Sequence, residues 1–600
     1  MNRSSPAPYL PWWRATTVET ARPAALRRGD GLPRGHWWHN SVIYQLTPWS
    51  YQDSDGDGKG DLPGLIRRVD YLASLGVDAV WLTPIYGSPM DDLGYDVTRT
   101  RQIDPLFGDI GDFRRLLTLM HQRGLKLVLD LVLNHTSDQH RWFTESRGSR
   151  DNPRADWYIW ADPAEDGGPP NNWPSVLTGK SGWKFEPARG QYYFYNFLPS
   201  QPDLNWHNPA VREAQLDTVR FWLEEGIDGI RLDAVNFYCH DPELKDNPLR
   251  TDSDGRPDGI APDNPAAQQV FSRSFCRPET HDCLKPLREL VDRHPGTMLL
   301  GEVTLCEDTI REAAEFTHGS DRLHIAYHSA LLFHAPATAQ RLKSIILRTQ
   351  QEYGARGNCW MAGNHDYGRM RDLWGGGDHD DPDAFYRMMA ALLLAAPGAL
   401  CLWQGDELGL PSARIPEDIG EDQLRDPFGR AMYPTLPGRD GSRTPMPWDC
   451  DDGDHCGFSE VEPWLPIPAS HRGLSVAAQS ADPDSSLNTW RNLLHWRRAQ
   501  PALLEGALRM LDLPAPGLGW WREHDVQGVL AVFNVSPRPL ELDLAACGDN
   551  GSADALERLE PAWLHGCDAE WNPATRRLAL PPWGVWFAAC GKDATSGREA

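Results

Sequence analysis

Short apolar runs recur along the chain, and an amphipathic stretch closely follows most of them. The first such pair is SVIYQLT at 41–47 and LPGLIRRVDYLASLG at 62–76. Buried strands that alternate with amphipathic helices predict a parallel sheet with right-handed crossovers. Eight runs of this kind predict an α/β fold, a (β/α)8 or TIM barrel. The other seven are VDAVWLTP (77–84), LKLVLDLVLNH (125–135), IDGIRLDAV (227–235), TMLLGEV (297–303), LHIAYHSALL (323–332), NCWMAGNHD (358–366) and GALCLWQGDE (398–407).

Two regions depart from this alternation. Roughly 90 residues rich in Gly, Pro, Asn and aromatics separate the third strand from the fourth, and a structureless loop of that length is rare in a compact domain. After about residue 500, short alternating runs with turn signals predict an antiparallel β-sandwich at the C-terminus. The predicted organisation is an N-terminal extension (1–37), a barrel in two parts (38–134 and 205–500), an inserted domain (135–204), a C-terminal β domain (501–590) and a tail (591–600).

Composition and net charge indicate which classes of binding partner the protein favours. Of the 600 residues, 40% are hydrophobic and 24% are charged, which is ordinary for a globular protein with a sizeable core. The net charge of −25 disfavours nucleic acid and anionic membranes and suits a neutral substrate, although solubility alone explains it equally well. No run approaches the roughly 18 apolar residues of a membrane span.

The eleven cysteines are scattered and form no CxxC pair. This pattern predicts reduced thiols in a cytoplasmic protein and indicates neither a zinc site nor a disulfide framework. The sequence leaves a monomer and a homodimer open.

Polar side chains end four of the predicted strands. In a barrel of this type, catalytic groups project from the carboxyl ends of the strands. A single acid at a strand end is commonly a helix cap or a structural residue. Burying several acids and an arginine in one mouth costs free energy, so such a cluster favours a functional role over a structural one. The residues are Asp130, Asn134 and His135 on the third strand, Arg231 and Asp233 on the fourth, Glu302 on the fifth, and Asn364, His365 and Asp366 on the seventh.

Two carboxylates on adjacent strands suit the cleavage of a glycoside. One attacks the anomeric carbon, and the other first protonates the leaving oxygen and then deprotonates water. Glu302 as the acid needs a raised pKa, which a neighbouring carboxylate and a dry pocket can supply. Arg231 precedes Asp233 by two residues and therefore shares its face of the strand. We expect its fixed charge to keep Asp233 ionised.

Several segments in the right order resemble glycoside hydrolase family 13, the α-amylase family. The four main ones are DLVLNH (130–135), GIRLDAVN (229–236), GEVT (301–304) and NHD (364–366). The resemblance covers roughly residues 38 to 590. Further segments are similar to the branch of oligo-1,6-glucosidases and α-glucosidases: DLGYDV (92–97), QPDLN (201–205) and GRDGSRTPMPW (438–448). Two more are most similar to bacterial α-glucosidases: ESRGSRDNPRADWYIWADP (145–163) and NFLPSQPDLNWHNPAV (196–211).

The resemblance assigns roles to single residues. It implies that Asp233 is the nucleophile, Glu302 the general acid and base, and Asp366 a third carboxylate that grips ring hydroxyls. Asp92 with Arg443 would close the pocket behind the non-reducing end, which implies exo action that releases glucose from short α-glucosides. The positions matched to the terminal glucose are Asp92, Tyr95, His135, Arg231, His365 and Arg443, with Phe197 packing beside it.

The resemblance also predicts the linkage of the substrate. In this branch, Val after the nucleophile goes with α-1,6 linkages and a smaller or hydroxyl residue with α-1,4 linkages. Ala234 therefore favours α-1,4 substrates such as maltose, and sucrose is a further candidate. Sugar or alcohol acceptors would allow transglucosylation, and no organic cofactor is implied. Two alternatives stay open: a glucosyltransferase of the sucrose isomerase or trehalose synthase type, and a non-catalytic relative that serves as a binding protein.

The segment DSDGDGKGD at 53–61 resembles the start of a calcium loop. Acidic residues stand at alternate positions, and Gly58 is sixth, where an EF-hand loop turns sharply. The twelfth position is Gly64, where an EF-hand has a bidentate Glu. The alternative is an exposed acidic turn without an ion. The family resemblance implies a structural Ca2+ or Mg2+ with five ligands: Asp53, Asp55, Asp57, the carbonyl of Lys59, and Asp61.

Overall fold

The computed structural model describes residues 36–251, 264–333, 335–354, 357–374, 381–436, 438–451, 453–546, 556, 558–563 and 568–591. The predicted N-terminal extension up to residue 35 and the predicted tail from residue 592 lie outside this part of the chain. Strands and helices are numbered in chain order.

The strands are β1 Val42–Leu46, β2 Ala79–Leu82, β3 Tyr86–Gly87, β4 Arg99–Ile103, β5 Lys126–Leu131, β6 Trp160–Ala161, β7 Trp183–Glu186, β8 Gln191–Phe194, β9 Gly229–Leu232, β10 Met298–Val303, β11 Ile325–His328, β12 Asn358–Met361, β13 Ala399–Trp403, β14 Ala507–Met510, β15 Gly517–Glu523, β16 Gln527–Asn534, β17 Leu540–Asp543, β18 Glu560–Trp563, β19 Glu570–Asn572, β20 Arg577–Leu580 and β21 Val585–Gly591.

The helices are α1 Leu62–Leu75, α2 Ile110–Gln122, α3 Arg141–Ser146, α4 Pro209–Glu224, α5 Glu279–Asp292, α6 Thr309–Glu315, α7 Ala339–Tyr353, α8 Met370–Leu373, α9 Pro382–Ala395, α10 Pro427–Met432, α11 Ala469–Arg472, α12 Val476–Ala481, α13 Ser486–Arg498 and α14 Pro501–Glu505.

Eight strands close into a barrel in the order β1-β13-β12-β11-β10-β9-β5-β2. Every neighbouring pair is parallel. Each of these strands lies within one of the eight predicted apolar runs, so the predicted (β/α)8 barrel is confirmed. Parallel pairing brings the carboxyl ends of all eight strands to one mouth, where the polar strand ends meet.

The helices that cover the barrel begin and end at residues suited to those positions. Helix α1 begins after Asp61, whose carboxylate accepts from the N–H of Gly64 at 2.6 Å, an N-cap that satisfies one of the free N–H groups of the first turn. It ends at Gly76 in the left-handed region, φ 95°, which glycine adopts without steric cost. Its buried face repeats at helical spacing through Leu65, Val69 and Leu72.

The segment between β5 and β9 carries a small sheet of its own, in the order β6-β8-β7. The aromatic side chains of Trp173, Trp183 and Phe194 are buried together in a cluster beside it. An antiparallel bridge between His135 and Asp203 joins the two ends of the segment at the barrel. A structured insertion therefore occupies the region where the sequence predicts one.

The C-terminal region holds two antiparallel sheets, β14-β15-β16-β21-β18 and β17-β20-β19. Trp521, Leu530, Leu578 and Trp586 are buried in the apolar cluster formed by residues of both sheets. The indole of Trp520, on the larger sheet, donates to the carbonyl of Ala395 in α9 at 3.3 Å. The predicted C-terminal β-sandwich is therefore confirmed.

One cysteine prediction is wrong. Cys450 and Cys456 form a disulfide, whereas the sequence pattern predicts thiols throughout. The N–H groups of Trp448 and Asp449 both donate to the carbonyl of Cys456 at 2.9 Å. This tight turn brings the two cysteines together over a separation of 6 residues, which a search for CxxC pairs does not detect.

Among the described residues, no helix has both the length and the apolar character that crossing a bilayer requires. The cytoplasmic location and the choice between monomer and homodimer stay predictions.

Candidate active site

Three acidic side chains from neighbouring strands meet around one buried guanidinium, that of Arg231. Its Nη1 donates to Oδ1 of Asp130 at 2.7 Å and to Oδ1 of Asp233 at 2.5 Å. Its Nη2 donates to Oε2 of Glu302 at 2.5 Å and to Oη of Tyr327 at 3.0 Å. Strand pairing sets these contacts, because Arg231 lies opposite Asp130 and Glu302 lies opposite Tyr327. The two predicted catalytic carboxylates thus occupy the two terminal nitrogens of one guanidinium.

Burial controls the protonation of this pair. Burial, together with the neighbouring Asp233 and against the attraction of Arg231, raises the pKa of Glu302 to about 7. Burial also raises the pKa of Asp233 to about 7, although Arg231 lowers it. Arg231 favours the ionised form of Asp233, as expected, but burial outweighs its effect on the pKa, because one guanidinium serves three carboxylates. The pair Asp233 and Glu302 titrates near neutral pH as a unit.

Asp366 has the opposite environment. Its Oδ1 accepts from Nη1 of Arg439 at 3.0 Å and from Nη2 of Arg443 at 3.2 Å. Burial would raise the pKa of Asp366, but nearby positive charges, including these two guanidinium groups, outweigh it and hold the pKa well below its usual range. Burial lowers the pKa of the adjacent His365 to about 3, so that its ring is neutral. The two arginines therefore keep Asp366 ionised.

Arg439 makes the contact with Asp92 that the sequence assigned to Arg443. Nη2 of Arg439 donates to Oδ1 of Asp92 at 2.6 Å and to Oδ1 of Asp426 at 2.8 Å. Arg443 lies four residues further on, where its Nε donates to the carbonyl of His365 at 2.8 Å. The pairing of Asp92 with Arg443 is thus corrected to Asp92 with Arg439. The segment GRDGSR contains both arginines, and nothing in its spacing tells which one reaches Asp92.

Sequence reasoning also missed Gln201. Its Nε2 donates to Oδ2 of Asp92 at 2.9 Å, so that Asp92 is held between an amide and a guanidinium. Gln201 is the first residue of the QPDLN segment, and that segment is the signal for it, although its letters alone assign no contact with Asp92.

The aromatic residues predicted to bind the sugar lie next to these charged groups. Oη of Tyr95 donates to Oδ2 of Asp130 at 2.9 Å and lies 2.8 Å from Nε2 of His365. The rings of Tyr95 and His365 are stacked, with centroids 5.4 Å apart. His135, whose pKa burial lowers to about 4, lies beside the ring of Phe197 at 5.3 Å. These contacts fix the rings before any ligand is present.

A cavity of about 510 Å3 joins these groups. Seven of the ten predicted catalytic and substrate-binding residues line it, namely Asp92, Tyr95, His135, Phe197, Asp233, Glu302 and Asp366. The other three, Arg231, His365 and Arg443, are buried behind that lining and hold its residues in place. The cavity also has a large apolar part, formed by Val176, Leu177, Ala234, Phe237, Leu305, Leu332, Phe333, Leu373, Phe428 and Leu436.

The acidic loop gathers three of its predicted ligands. Single carboxylate oxygens of Asp53, Asp55 and Asp61 lie within 4.8 Å of one another. Asp57 is not part of this cluster, and its Oδ1 accepts from the N–H of Lys59 at 2.8 Å. Carboxylate oxygens are the donors that Ca2+ and Mg2+ prefer, and three of them at this spacing fit such an ion.

The family follows from comparison with known proteins. A family model described as α-amylase, catalytic domain, matches residues 45–506. The chain belongs to the α-amylase family. The predicted resemblance to glycoside hydrolase family 13 is thereby confirmed.

Individual relatives show which members of the α-amylase family this chain is similar to. A probable α-glucosidase of Rhizobium meliloti is 42% identical over 557 residues, which cover 93% of this chain and 97% of that protein. An oligo-1,6-glucosidase of Parageobacillus thermoglucosidasius is 35% identical over 79% of this chain and 86% of its own length. The solved structure of an α-glucosyl transfer enzyme, XgtA, has a TM-score of 0.86 at 44% identity and covers 93% of this chain and 100% of its own. That of the trehalulose synthase MutB from Pseudomonas mesoacidophila has a TM-score of 0.81 at 30% identity, over 94% and 100%.

The raised pKa values predict the pH dependence of this α-amylase family enzyme. The roles that the resemblance implies need Asp233 ionised and Glu302 protonated, and both pKa values are about 7. We therefore expect kcat/KM to be bell-shaped with its maximum near pH 7, since Asp233 takes a proton on the acid side and Glu302 loses one on the alkaline side. Glu302→Gln, assayed with an aryl α-glucoside whose leaving group needs no acid, should lose the alkaline limb. A flat profile through neutral pH would contradict this account.

The contacts of Arg439 predict a strong effect of its removal. Arg439→Leu deprives Asp92, Asp366 and Asp426 of their shared partner, and we expect kcat/KM to fall by about 100-fold or more through misplacement of the sugar-binding acids. Steady-state kinetics on a short α-glucoside measure this. Arg425→Leu, at an exposed position nearby, is the matched control and should stay within about twofold. A kcat/KM of Arg439→Leu equal to that of the unaltered protein would contradict the assignment of Arg439 to the sugar-binding acids.

Proposed function

We propose that the protein is a retaining, exo-acting α-glucosidase that releases glucose from the non-reducing end of short α-glucosides. The observation that carries the proposal is the pairing of Asp233 and Glu302 on the two terminal nitrogens of Arg231, at the wall of a cavity large enough for a disaccharide. Two adjacent carboxyl groups, one of them able to hold a proton at neutral pH, are what double displacement requires.

The first step forms a glycosyl-enzyme. The ionised carboxylate of Asp233 attacks the anomeric carbon while the protonated Glu302 gives its proton to the glycosidic oxygen, and the bond between carbon and leaving oxygen breaks. In the second step Glu302, now ionised, takes a proton from water, and the water oxygen displaces Asp233. Two inversions give net retention. The N–H of Ala234 donates to Oε2 of Glu302 at 3.0 Å, which holds the acid in place through both steps.

The charged end of the cavity supports binding of a terminal glucose. Asp92, Asp366 and Arg439 form a continuous ionic network, and Gln201 extends it. Their oxygen and nitrogen atoms can pair with the several hydroxyls that a terminal glucose presents. Because each of these side chains is already held by a partner, binding costs little side-chain ordering. This supports recognition of a chain end over internal cutting.

A second outcome of the same chemistry is glucosyl transfer. The apolar part of the cavity includes Phe237, Leu305 and Phe333, and such a surface disfavours water and suits the carbon frame of an acceptor sugar or alcohol. An acceptor hydroxyl then replaces water in the second step. One similar solved structure is described as an α-glucosyl transfer enzyme and another as a trehalulose synthase, which supports this candidate.

We also propose that the acidic loop binds a structural Ca2+ or Mg2+. Asp53, Asp55 and Asp61 would hold the ion, which would neutralise their mutual repulsion. Asp53 is further ordered by the N–H of Gly58 at 3.0 Å and by Oγ of Ser459 at 2.6 Å. The loop follows β1, and its three aspartates are not among the residues that line the cavity, so its part would be stability.

The function is tested by the identity and anomer of the first product. Incubated with maltose, the protein should release α-glucose before mutarotation, as proton NMR resolves, and Asp233→Asn should release none because the nucleophile is lost. A new disaccharide as the main product from maltose, sucrose or trehalose would favour the transferase. No turnover of any of these sugars would contradict the glucosidase and revive the binding-protein alternative.

Ala234 predicts the linkage that is cleaved. We expect maltose to be cleaved faster than isomaltose, because the small side chain leaves room for an α-1,4-linked sugar in the cavity that it lines. Ala234→Val should shift the ratio of the two kcat/KM values towards isomaltose, whereas Ala234→Thr should shift it less, because its hydroxyl can hydrogen-bond a sugar that the Val methyl only crowds. Val and Thr have the same shape and suffer the same strain at φ 45°. Faster cleavage of isomaltose by the unaltered protein would refute the preference.

The ion is tested by thermal unfolding. Removal of divalent ions with a chelator should lower Tm by a few degrees, and added Ca2+ or Mg2+ should restore it, since a ligand at 100 times its Kd stabilises the fold by about 2.7 kcal/mol. Asp55→Asn should abolish the dependence on ion concentration. Asp57→Asn is the matched control, because Asp57 lies outside the cluster, and should keep most of it. The same Tm with and without ion would rule the site out.

A further inference from the structure

Two loops beside the active site each carry a cysteine, and the two sulfurs are in contact. Cys276 follows β9 in the chain and precedes α5, and Cys306 follows β10 by three residues. Their Sγ atoms lie 2.7 Å apart, which is only about 0.7 Å longer than a covalent S–S bond of about 2.05 Å. A small movement of either side chain therefore brings them to bonding distance.

The amide of Asn236 holds both sulfurs in this position. Its Nδ2 lies 3.3 Å from Sγ of Cys276 and 3.3 Å from Sγ of Cys306, and it donates to the carbonyl of Thr304 at 2.9 Å. The N–H of Cys276 in turn donates to the carbonyl of Asn236 at 2.9 Å. The approach of the sulfurs is thus fixed from both loops by one side chain.

Other thiol pairs in the described residues lie further apart. Sγ of Cys239 is 3.4 Å from Sγ of Cys283, and Sγ of Cys359 is 3.5 Å from Sγ of Cys401. All four of these cysteines are buried, whereas Cys276 is partly exposed. Among these pairs, the one at Cys276 and Cys306 combines the shortest distance with access for a reagent, which thiol exchange requires.

We propose that Cys276 and Cys306 form a redox-modification site that a small-molecule disulfide, such as oxidised glutathione, converts into an intramolecular disulfide. The sulfur of Cys276 attacks the reagent and releases one glutathione thiol, and the sulfur of Cys306 then displaces the second. Two S–H bonds break and one S–S bond forms. The cysteines lose two electrons and two protons, and the reagent takes them up as two thiols.

The bond would tie together two loops that build the cavity wall. Thr304 and Leu305, which stand between Glu302 and Cys306, line the cavity. Because the sulfurs already nearly touch, the bond moves them little, and the activity of the cold enzyme stays within about twofold. A cross-link between residues 276 and 306 restricts the unfolded chain, so the oxidised protein keeps its activity longer on heating. The disulfide is a reversible cross-link between the two loops. Its formation does not depend on the proposed activity.

The test is a comparison of reduced and glutathione-oxidised protein by mass spectrometry. Free thiols are alkylated after denaturation, and the chain is cut without reduction by a protease that cleaves after Glu279, which separates Cys276 from Cys283. We expect a cross-linked peptide pair containing Cys276 and Cys306, two hydrogens lighter than the separate peptides. Cys239 and Cys359 should be alkylated in the same sample. Full alkylation of Cys276 and Cys306, or glutathione retained on Cys276, would overturn the proposal.

The second readout is thermal. Oxidised protein should unfold a few degrees higher than reduced protein, and dithiothreitol should reverse the gain. The comparison is made in a Cys450→Ser, Cys456→Ser background, because dithiothreitol would also reduce the disulfide between these two residues. In that background Cys276→Ser should unfold at the same temperature in both conditions, whereas Cys239→Ser, in another thiol pair, should retain the difference. Equal Tm values for oxidised and reduced unaltered protein would refute the proposed stabilisation by the disulfide even if the bond forms.

Discussion

The guanidinium of Arg231 is the constraint on which the catalytic mouth depends. It is fully buried and contacts three carboxylates, namely Asp130 in β5, Asp233 directly after β9, and Glu302 in β10. Ions removed from water cost several kcal/mol each unless they are paired. Burial raises the pKa values of the two cavity-lining acids, and one positive charge among three acids does not offset that effect. Burial and the charge count of the cluster together let one of these acids hold a proton near neutral pH.

The other side of the mouth has more positive charge for each acid. Arg439 and Arg443 both contact Asp366, and Arg439 also contacts Asp92 and Asp426. Two cations therefore face three acids here, and Asp366 stays ionised at a pH where Glu302 keeps its proton. Chemically similar carboxyl groups take different roles because their neighbours differ. A sugar bound between them would meet a fixed anion on one side and a proton donor on the other.

Much of this was readable from the sequence, and the reason is that local patterns determine it. Each barrel strand is a short apolar run, and each polar residue at its end must reach the common mouth of a closed parallel sheet. Arg439 could not be chosen over Arg443, because its contact with Asp92 joins residues 347 positions apart through two loops whose paths no periodicity specifies. Asp57 shares the alternate spacing of the metal loop, but a local turn directs it to Lys59. The contacts between cysteines likewise depend on tertiary packing and leave no motif.

The acidic loop belongs to the scaffold for a further geometric reason. The two oxygens of Asp61 have different partners, since Oδ1 caps α1 through the N–H of Gly64 and Oδ2 accepts from Ser54 within the loop. A Cβ at Gly64 would lie 2.0 Å from the carbonyl of Gln52, which shows how closely the helix start and the loop are packed. Any movement of the loop would therefore uncap the first helix of the barrel. A charge placed there acts on the strand and helix that begin the barrel, and through them on the position of the catalytic mouth.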